Sequence, residues 1–497
     1  MKRNFKFIFT LAMIVSCMMF YSFSVFADTV EDEEKKPEFE WVGVDNGTLN
    51  YDSSKGAYNP MGVVYNNELY VIWNESHSSG PIQIRAKKYN GSKWVEVDNG
   101  SLNYDKSKTA YHPMGVVYNN ELYVTWYENT GTHVWQIRVK KYDGSKWVGV
   151  DNGTLNYDFS KNGYDPMGVV YNDDLYVTWH ESHSQNSDQI RVKKYDGSKW
   201  VEADNGFLNY DSSGSARNPI GVVYNNELYV IWYEHGEDSN QIRVKKYDGS
   251  KWVEADNGSL NYNSSKGASY PMGVVYNNEL YVTWMEHCEY NGKNIFQIRV
   301  KKYDGSKWVG VDNGTLNYDK SQTAYYPMGV VYNNELYVIW HENNGSSIWQ
   351  IRAKKYNGSK WVGVDNGTLS YDSSKEDLNN PMGVVYNNEL YVTWHEESES
   401  NIRQIRMKKL VNNKGTGSEK PSNKGERALL RITMEEGTEK EYDMTMKEVN
   451  DFIDWYNKIS TPCYTIEKDY NVGPFESRKD YIVRDKIVSF EVMEYNK

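Results

Sequence analysis

The sequence predicts an all-β, seven-bladed β-propeller built of four-stranded antiparallel blades, followed by a small C-terminal α+β domain. Three observations carry this. A unit typified by residues 113–147, PMGVVYNNELYVTWYENTGTHVWQIRVKKYDGSKW, recurs with little change along the chain. Its tryptophans Trp41, Trp94, Trp147, Trp200, Trp252, Trp308 and Trp361 are spaced 53, 53, 53, 52, 56 and 53 residues apart, a period that denotes a ring or a solenoid of supersecondary units. Each unit reads as strands separated by hairpin turns. Finally, the repeat is out of phase with the chain: it opens on a Trp strand and ends on a third strand with no Trp strand after it.

Within one unit, residues 114–118 form a short β-rich run, and Asn119-Asn120 suits a two-residue hairpin. Residues 122–128 (LYVTWYE) are the second strand and residues 136–142 (QIRVKKY) the third, with a polar loop of variable length between them. Asp143-Gly144 is a strong turn signal, and residues 147–150 open the fourth strand. A single sheet of this kind has two half-apolar faces and cannot bury both alone; ranked around an axis, each sheet covers its neighbours. Pairing Trp41–Asp45 onto Gln404–Lys409 supplies the missing fourth strand, closes the ring and removes both open edges.

Residues 1–27 read as a secretory signal: Lys2, Arg3 and Lys6, an apolar centre, then Val25-Phe26-Ala27 as the cleavage site. An uncleaved membrane anchor and a lipoprotein box ending at Cys17 are the alternatives, and only these would attach the chain to a membrane. Residues 28–38 are a charged leader, 39–410 the propeller, 411–426 a Gly/Ser/Lys-rich linker and 427–497 the α+β domain. In that domain residues 428–434 and 439–444 read as a hairpin over Glu436-Gly437. Thr445 and Glu448 form a capping box, and Val449, Phe452, Ile453 and Tyr456 make the apolar face of a helix. Two strands follow near residues 463–468 and 481–494.

The net charge of −12 argues against nucleic acid as a partner. Cysteine is scarce (Cys17, Cys288 and Cys463), so neither a disulfide framework nor a Cys-based zinc site is expected. No nucleophile elbow, zinc-protease motif or phosphate-binding glycine loop occurs.

The repeated polar residues are the first candidates for chemistry. Every second strand ends Trp-x-Glu: Trp73/Glu75, Trp126/Glu128, Trp179/Glu181, Trp232/Glu234, Trp284/Glu286, Trp340/Glu342 and Trp394/Glu396. Every third strand carries Gln-Ile-Arg, giving Arg85, Arg138, Arg191, Arg243, Arg299, Arg352 and Arg406. Period two puts Trp and Glu on one face, and the antiparallel hairpin brings Glu toward Arg. One reading is a Glu–Arg ion pair in each blade that fixes strand register. The other is a sugar site, in which carboxylate and guanidinium offer bidentate hydrogen bonds and the indole an apolar plate.

The long connection at residues 98–108 and the loop between strands two and three emerge on one rim, so binding is expected on that long-loop face. Asp and Asn there either ligate calcium or form Asx turns with Leu102 and Tyr104 as packing anchors. No other cofactor is expected. His287 with Cys288 is a two-ligand metal candidate, and Trp135, Phe296 and Trp349 are either rim contacts or caps over the sheets.

Over residues 41–409 the repeat resembles secreted bacterial β-propeller repeats of the AYxP…LYVxWxE…QIRVxxYDGxxW kind. Asn-Glu-Leu-Tyr-Val and the later Tyr-Asp-Gly…Trp are similar to kelch repeats, although the paired glycines are replaced by Trp-x-Glu. Asp-Gly-Ser-Lys-Trp sits where sialidases carry an Asp box, without the spacing of that motif, and a sialidase arginine triad cannot be placed. Fucose-binding propeller lectins use the same residue types between blades in a different chain order. The C-terminal domain resembles a tail module of bacterial surface proteins. The resemblance implies a secreted or cell-surface protein. The expected function is non-catalytic binding of a carbohydrate or glycoconjugate; a glycan hydrolase or lyase and a protein-interaction scaffold are the alternatives.

Overall fold

The computed structural model describes residues 39–77, 80–184, 187–372, 378–412, 427–435, 438–457, 463–467 and 479–495. The signal and leader expected from the sequence, residues 413–426 of the expected linker, Cys17 and the Glu436-Gly437 turn lie outside the described residues, whereas residues 411 and 412 of that linker are the end of a strand. The chain divides into two compact units, one ending at Asn413 and the other beginning at Lys414.

The first unit holds seven four-stranded antiparallel sheets. Six are formed by consecutive strands; in blade 2 these are Ala110–Tyr118, Glu121–Asn129, Trp135–Tyr142 and Trp147–Gly149. The Asn119-Asn120 turn adopts positive φ at both residues (48° and 58°), the conformation a two-residue hairpin needs and that asparagine tolerates. The seventh sheet is completed from the other end of the chain. Phe39–Gly43 pairs antiparallel with Arg403–Asn412, matching Trp41 with Leu410 and Gly43 with Lys408. The ring therefore closes as the phase of the repeat requires, with the pairing displaced toward the end of a third strand that runs on to Asn412.

Closure leaves no special boundary. Each fourth-strand tryptophan donates its indole N–H to a carbonyl of the preceding blade, as Trp94 does to Val44 and Trp147 to Val97, at 2.7 Å. Trp41 does the same to Val364, across the seam. The core is seven apolar clusters, one in each boundary between blades.

The first strands begin earlier than the sequence suggested. In blade 2 the strand starts at Ala110, on the far side of Pro113, because a bulge absorbs the proline: Tyr111 pairs with Tyr127 and Met114 with Thr125. Two residues then oppose one, and the proline needs no ladder donor. Near the axis each first-strand glycine lies against a valine of the preceding blade. A Cβ at Gly168 would sit 2.6 Å from Val116 Cγ1, so glycine here allows the sheets to converge.

In the second unit, Arg427–Met434 pairs with Glu439–Thr445 and with Ile487–Tyr495, and Cys463–Glu467 pairs with Lys479–Val483. The helix Met446–Asn457 is capped as expected: Glu448 Oε2 accepts from the Thr445 N–H and Thr445 Oγ1 accepts from the Glu448 N–H. Val449, Phe452 and Trp455 are buried with Ala428, Leu430 and Ile432 of the sheet, and Ile453 and Tyr456 pack at the edge of that core.

Candidate functional site

The repeated Trp, Glu and Arg residues are brought together, but inside the wall of the ring. Trp73, Trp126, Trp179, Trp232, Trp284, Trp340 and Trp394 have no exposed surface. The glutamates Glu75, Glu128, Glu181, Glu234, Glu286, Glu342 and Glu396 are all buried. Their oxygens are taken by protein donors. Glu128 Oε2 accepts from Trp126 Nε1 at 2.9 Å and from the Tyr104 N–H at 3.0 Å, and Oε1 accepts from the Asp105 N–H at 2.9 Å. The other six make the same bonds to their own Trp and to the connection before their own first strand.

The expected Glu–Arg pair is not what forms. Trp126 stands opposite Arg138 and Glu128 opposite Gln136, so the side chain facing Arg138 on the next strand is the indole. Arg85, Arg138, Arg191, Arg243, Arg299, Arg352 and Arg406 instead bond the first Asp of the long connection at 2.7–2.9 Å. Arg406 reaches across the seam to Asp45. Each guanidinium also lies 3.4–3.7 Å from the centre of a tyrosine ring of the connection preceding its own blade, Tyr104 for Arg138, so it bridges two connections. Burial opposes the charge of Arg85, and the Asp98 carboxylate more than compensates, leaving its pKa above the usual value. Burial acts alone in direction on Glu342, whose pKa is raised despite three donors.

The long connection is held by Asx-type bonds. Asp98 Oδ1 accepts from the Gly100 N–H and Asp105 Oδ1 from the Ser107 N–H, while Leu102 is buried and Tyr104 Oη donates to the Val139 carbonyl. Among the described residues no group of three or more His, Cys, Asp or Glu is placed to hold a metal ion. His287 packs edge-on against Phe296, and Cys288 pairs in register with Ile295.

A different set of residues faces open space. A cavity of about 950 Å³ lies on the axis, lined by all seven blades. None of the repeated Trp, Glu or Arg residues named above lines it. Its wall comes from the bulge. The residue before each first-strand proline adopts positive φ, between 50° and 53°: Asn59, His112, Asp165, Asn218, Tyr270, Tyr326 and Asn380. Asparagine, aspartate and histidine tolerate this region, but for tyrosine it is a true outlier, and such strain clusters at functional sites.

These seven residues line the cavity together, and several of them contact a neighbour. Asn380 donates to Asn59 at 2.6 Å across the seam. Asp165 accepts from Asn218 Nδ2 at 2.9 Å and lies 3.3 Å from His112 Nδ1. The Tyr270 and Tyr326 rings pack edge to face at 4.4 Å. Behind them stand Tyr58, Tyr164 and Arg217 of the first strands and Tyr127, His180, Tyr233 and His395, the middle residues of Trp-x-Glu. His180 Nδ1 is 3.7 Å from Asp165. Burial lowers the pKa of His180, with Asp165 and Asp188 pulling the other way.

The cavity opens where the first strands begin and the second strands end, on the side of the long loops. Asn59, Tyr58 and their counterparts were not singled out from the sequence. The signal was present: blades that are otherwise near copies differ at these strand positions as well as in the loops. Of the rim aromatics, Trp135 packs on Tyr127, Trp349 on His341 and Phe296 on Tyr325.

The protein is thus a seven-bladed β-propeller with an axial, asymmetric cavity, joined to a small α+β unit. No family model and no curated protein matches the chain. Solved structures similar to it include a protein of unknown function from Dyadobacter fermentans, at 11% identity over 75% of this chain and 99% of that one, with a TM-score of 0.46. The polysaccharide lyase Uly1 is 10% identical over 71% and 90% of the two chains, with a TM-score of 0.48. The Trypanosoma rangeli sialidase in complex with sialic acid is 12% identical over 80% and 76%, with a TM-score of 0.44. Likenesses this distant do not bear on ligand or activity; the propeller assignment rests on the strand pairing above.

Proposed function

We propose that this protein binds a carbohydrate in the axial cavity, on the long-loop face of the propeller, outside the cell. One observation carries the reading. Positions that break an otherwise near-perfect repeat converge on one cavity, where the residues before the prolines present tyrosine rings on one arc and Asn, His and Asp on the other. Blades 5 and 6 supply Tyr270 and Tyr326; blades 2, 3 and 4 supply His112, Asp165 and Asn218. A pyranose has an apolar face for aromatic rings and a rim of hydroxyls for planar polar side chains. This reading puts one site on the axis instead of the sugar site that the repeated Trp, Glu and Arg suggested.

The test is a glycan array probed with the purified protein, followed by titration of the hits against Y270A and Y326A. Loss of binding in either variant, with the melting temperature kept, supports the cavity. Binding that survives both substitutions overturns it.

A glycan-processing enzyme is the second reading, and it draws on His180. Burial favours the neutral imidazole, which lies beside Asp165 at the cavity and is competent as a general base. Incubating array hits with the protein and looking for cleaved or unsaturated products decides between the two: turnover lost in H180A favours the enzyme, and ligands recovered intact favour binding alone.

A further inference from the structure

The repeat is regular enough that its departures can be compared, and two of them touch. Arg217 occupies in blade 4 the position held by Tyr58, Tyr111, Tyr164 and Tyr325 in blades 1, 2, 3 and 6. Asp188 occupies in blade 3 the position before the third-strand glutamine, where other blades carry Ile82, Trp135, Asn240, Phe296, Trp349 and Arg403. The two meet across the boundary between blades 3 and 4, where Arg217 Nε donates to Asp188 Oδ2 at 2.6 Å.

Asp188 is itself held. It is 8% exposed, and hydroxyls bond both of its oxygens: Ser182 Oγ donates to Oδ1 at 3.0 Å and Ser215 Oγ to Oδ2 at 3.1 Å. A carboxylate fixed in this way fixes whatever it bonds. The Arg217 side chain, by contrast, is 52% exposed and lines the cavity. A guanidinium carries five N–H donors in a planar fork. Asp188 takes the Nε donor and Tyr233, opposite on the neighbouring strand, takes another, which leaves further donors on the terminal nitrogens for a ligand. The other six boundaries are built without this pair.

The geometry points to Arg217 as an anion clamp aimed by Asp188: the ligand of the axial cavity is an acidic sugar, and the Arg217 fork binds its carboxylate. This rests on the carbohydrate reading above and adds the ligand's charge to it. Planar bidentate recognition of a carboxylate is what an oriented arginine does better than a lysine or a neutral amide.

The experiment is a titration series on matched glycan pairs, each a uronate-containing or sialylated oligosaccharide and its carboxyl-reduced alcohol, with a sulfated glycan as a third arm. The expected wild-type preference for the acid over its reduced partner is about 10- to 100-fold. R217Q brings the two within about threefold of each other because the acid loses more affinity than its reduced partner, and R217K and D188N fall between. Melting temperatures verify folding, and R217K and S215A serve if R217Q does not fold. Equal weakening of acid and alcohol in R217Q overturns the clamp, as does a wild-type preference for sulfated or neutral sugars; in each case the carbohydrate reading stands. An array with no glycan bound overturns both readings.

Discussion

Replacing Glu128 with glutamine separates a fastener from a binding group. Glu128 is buried and accepts three hydrogen bonds, from Trp126 Nε1, the Tyr104 N–H and the Asp105 N–H. Glutamine keeps the shape but has one oxygen. Turning that oxygen toward Trp126 and Tyr104 leaves its NH2 facing the Asp105 N–H, donor against donor. Loss of one hydrogen bond to a charged acceptor and weakening of two more costs about 3 kcal/mol. An unfolding entropy of about 2.1 cal/mol/K per residue, over a ring of about 370 residues, converts this to a melting temperature about 4 °C lower. E68Q is the control: Glu68 bonds Lys88 at 2.8 Å near the surface, and its loss costs at most about 1 kcal/mol. Scanning calorimetry reads both, and ligand affinity is measured on the same samples. E128Q is expected to melt lower and bind as before. A variant that melts with the wild type and loses its ligand would refute the assignment of Glu128 to the blade boundary.

The remaining predictions concern closure, convergence and acid. Removing residues 39–45 deletes the closing strand and the Asp45 partner of Arg406, so the truncated chain should lose its cooperative melt and self-associate through the freed edge, as light scattering would report; a monomer with an unchanged melt would contradict the seam. G168A places a Cβ 2.6 Å from Val116 Cγ1 and should cost about 1–3 kcal/mol, largely recovered in V116A/G168A; equal destabilisation of single and double variants would count against the contact. Asp143, Asp196, Asp248 and Asp304 each have a pKa lowered to about 2, by hydrogen bonds from the following Ser and Lys of the turn. Their folded values lie below the ordinary 3.8, so their contribution is complete above about pH 4 and lost as pH falls toward 2. Stability measured between pH 5 and 2 should therefore fall less steeply in the quadruple Asp→Asn variant, which already has natural precedent in Asn90 and Asn357; identical slopes would refute the assignment.

The sequence by itself determined the number of blades, the order of strands within them and the closure. These follow from short-range signals: the Asn-Asn and Asp-Gly turns, the period of about 53 residues, and an orphan Trp strand at residue 41 with no partner but the last third strand. The capping box at Thr445 and Glu448 was legible for the same reason, since both ends of the motif lie within one helical turn. What the sequence left open was decided by register. Period two correctly put Trp126 and Glu128 on one face, but the hairpin places Trp126, not Glu128, opposite Arg138, and the arginine's partner became Asp151 of the following connection. The cavity was hidden for a further physical reason. Pro113 reads as the end of a strand, whereas the sheet absorbs it in a bulge, and the bulge turns the preceding residue into positive φ and toward the axis. Only when seven blades converge do Asn59, His112, Asp165, Asn218, Tyr270, Tyr326 and Asn380, spread over more than 300 residues of chain, come to share one wall.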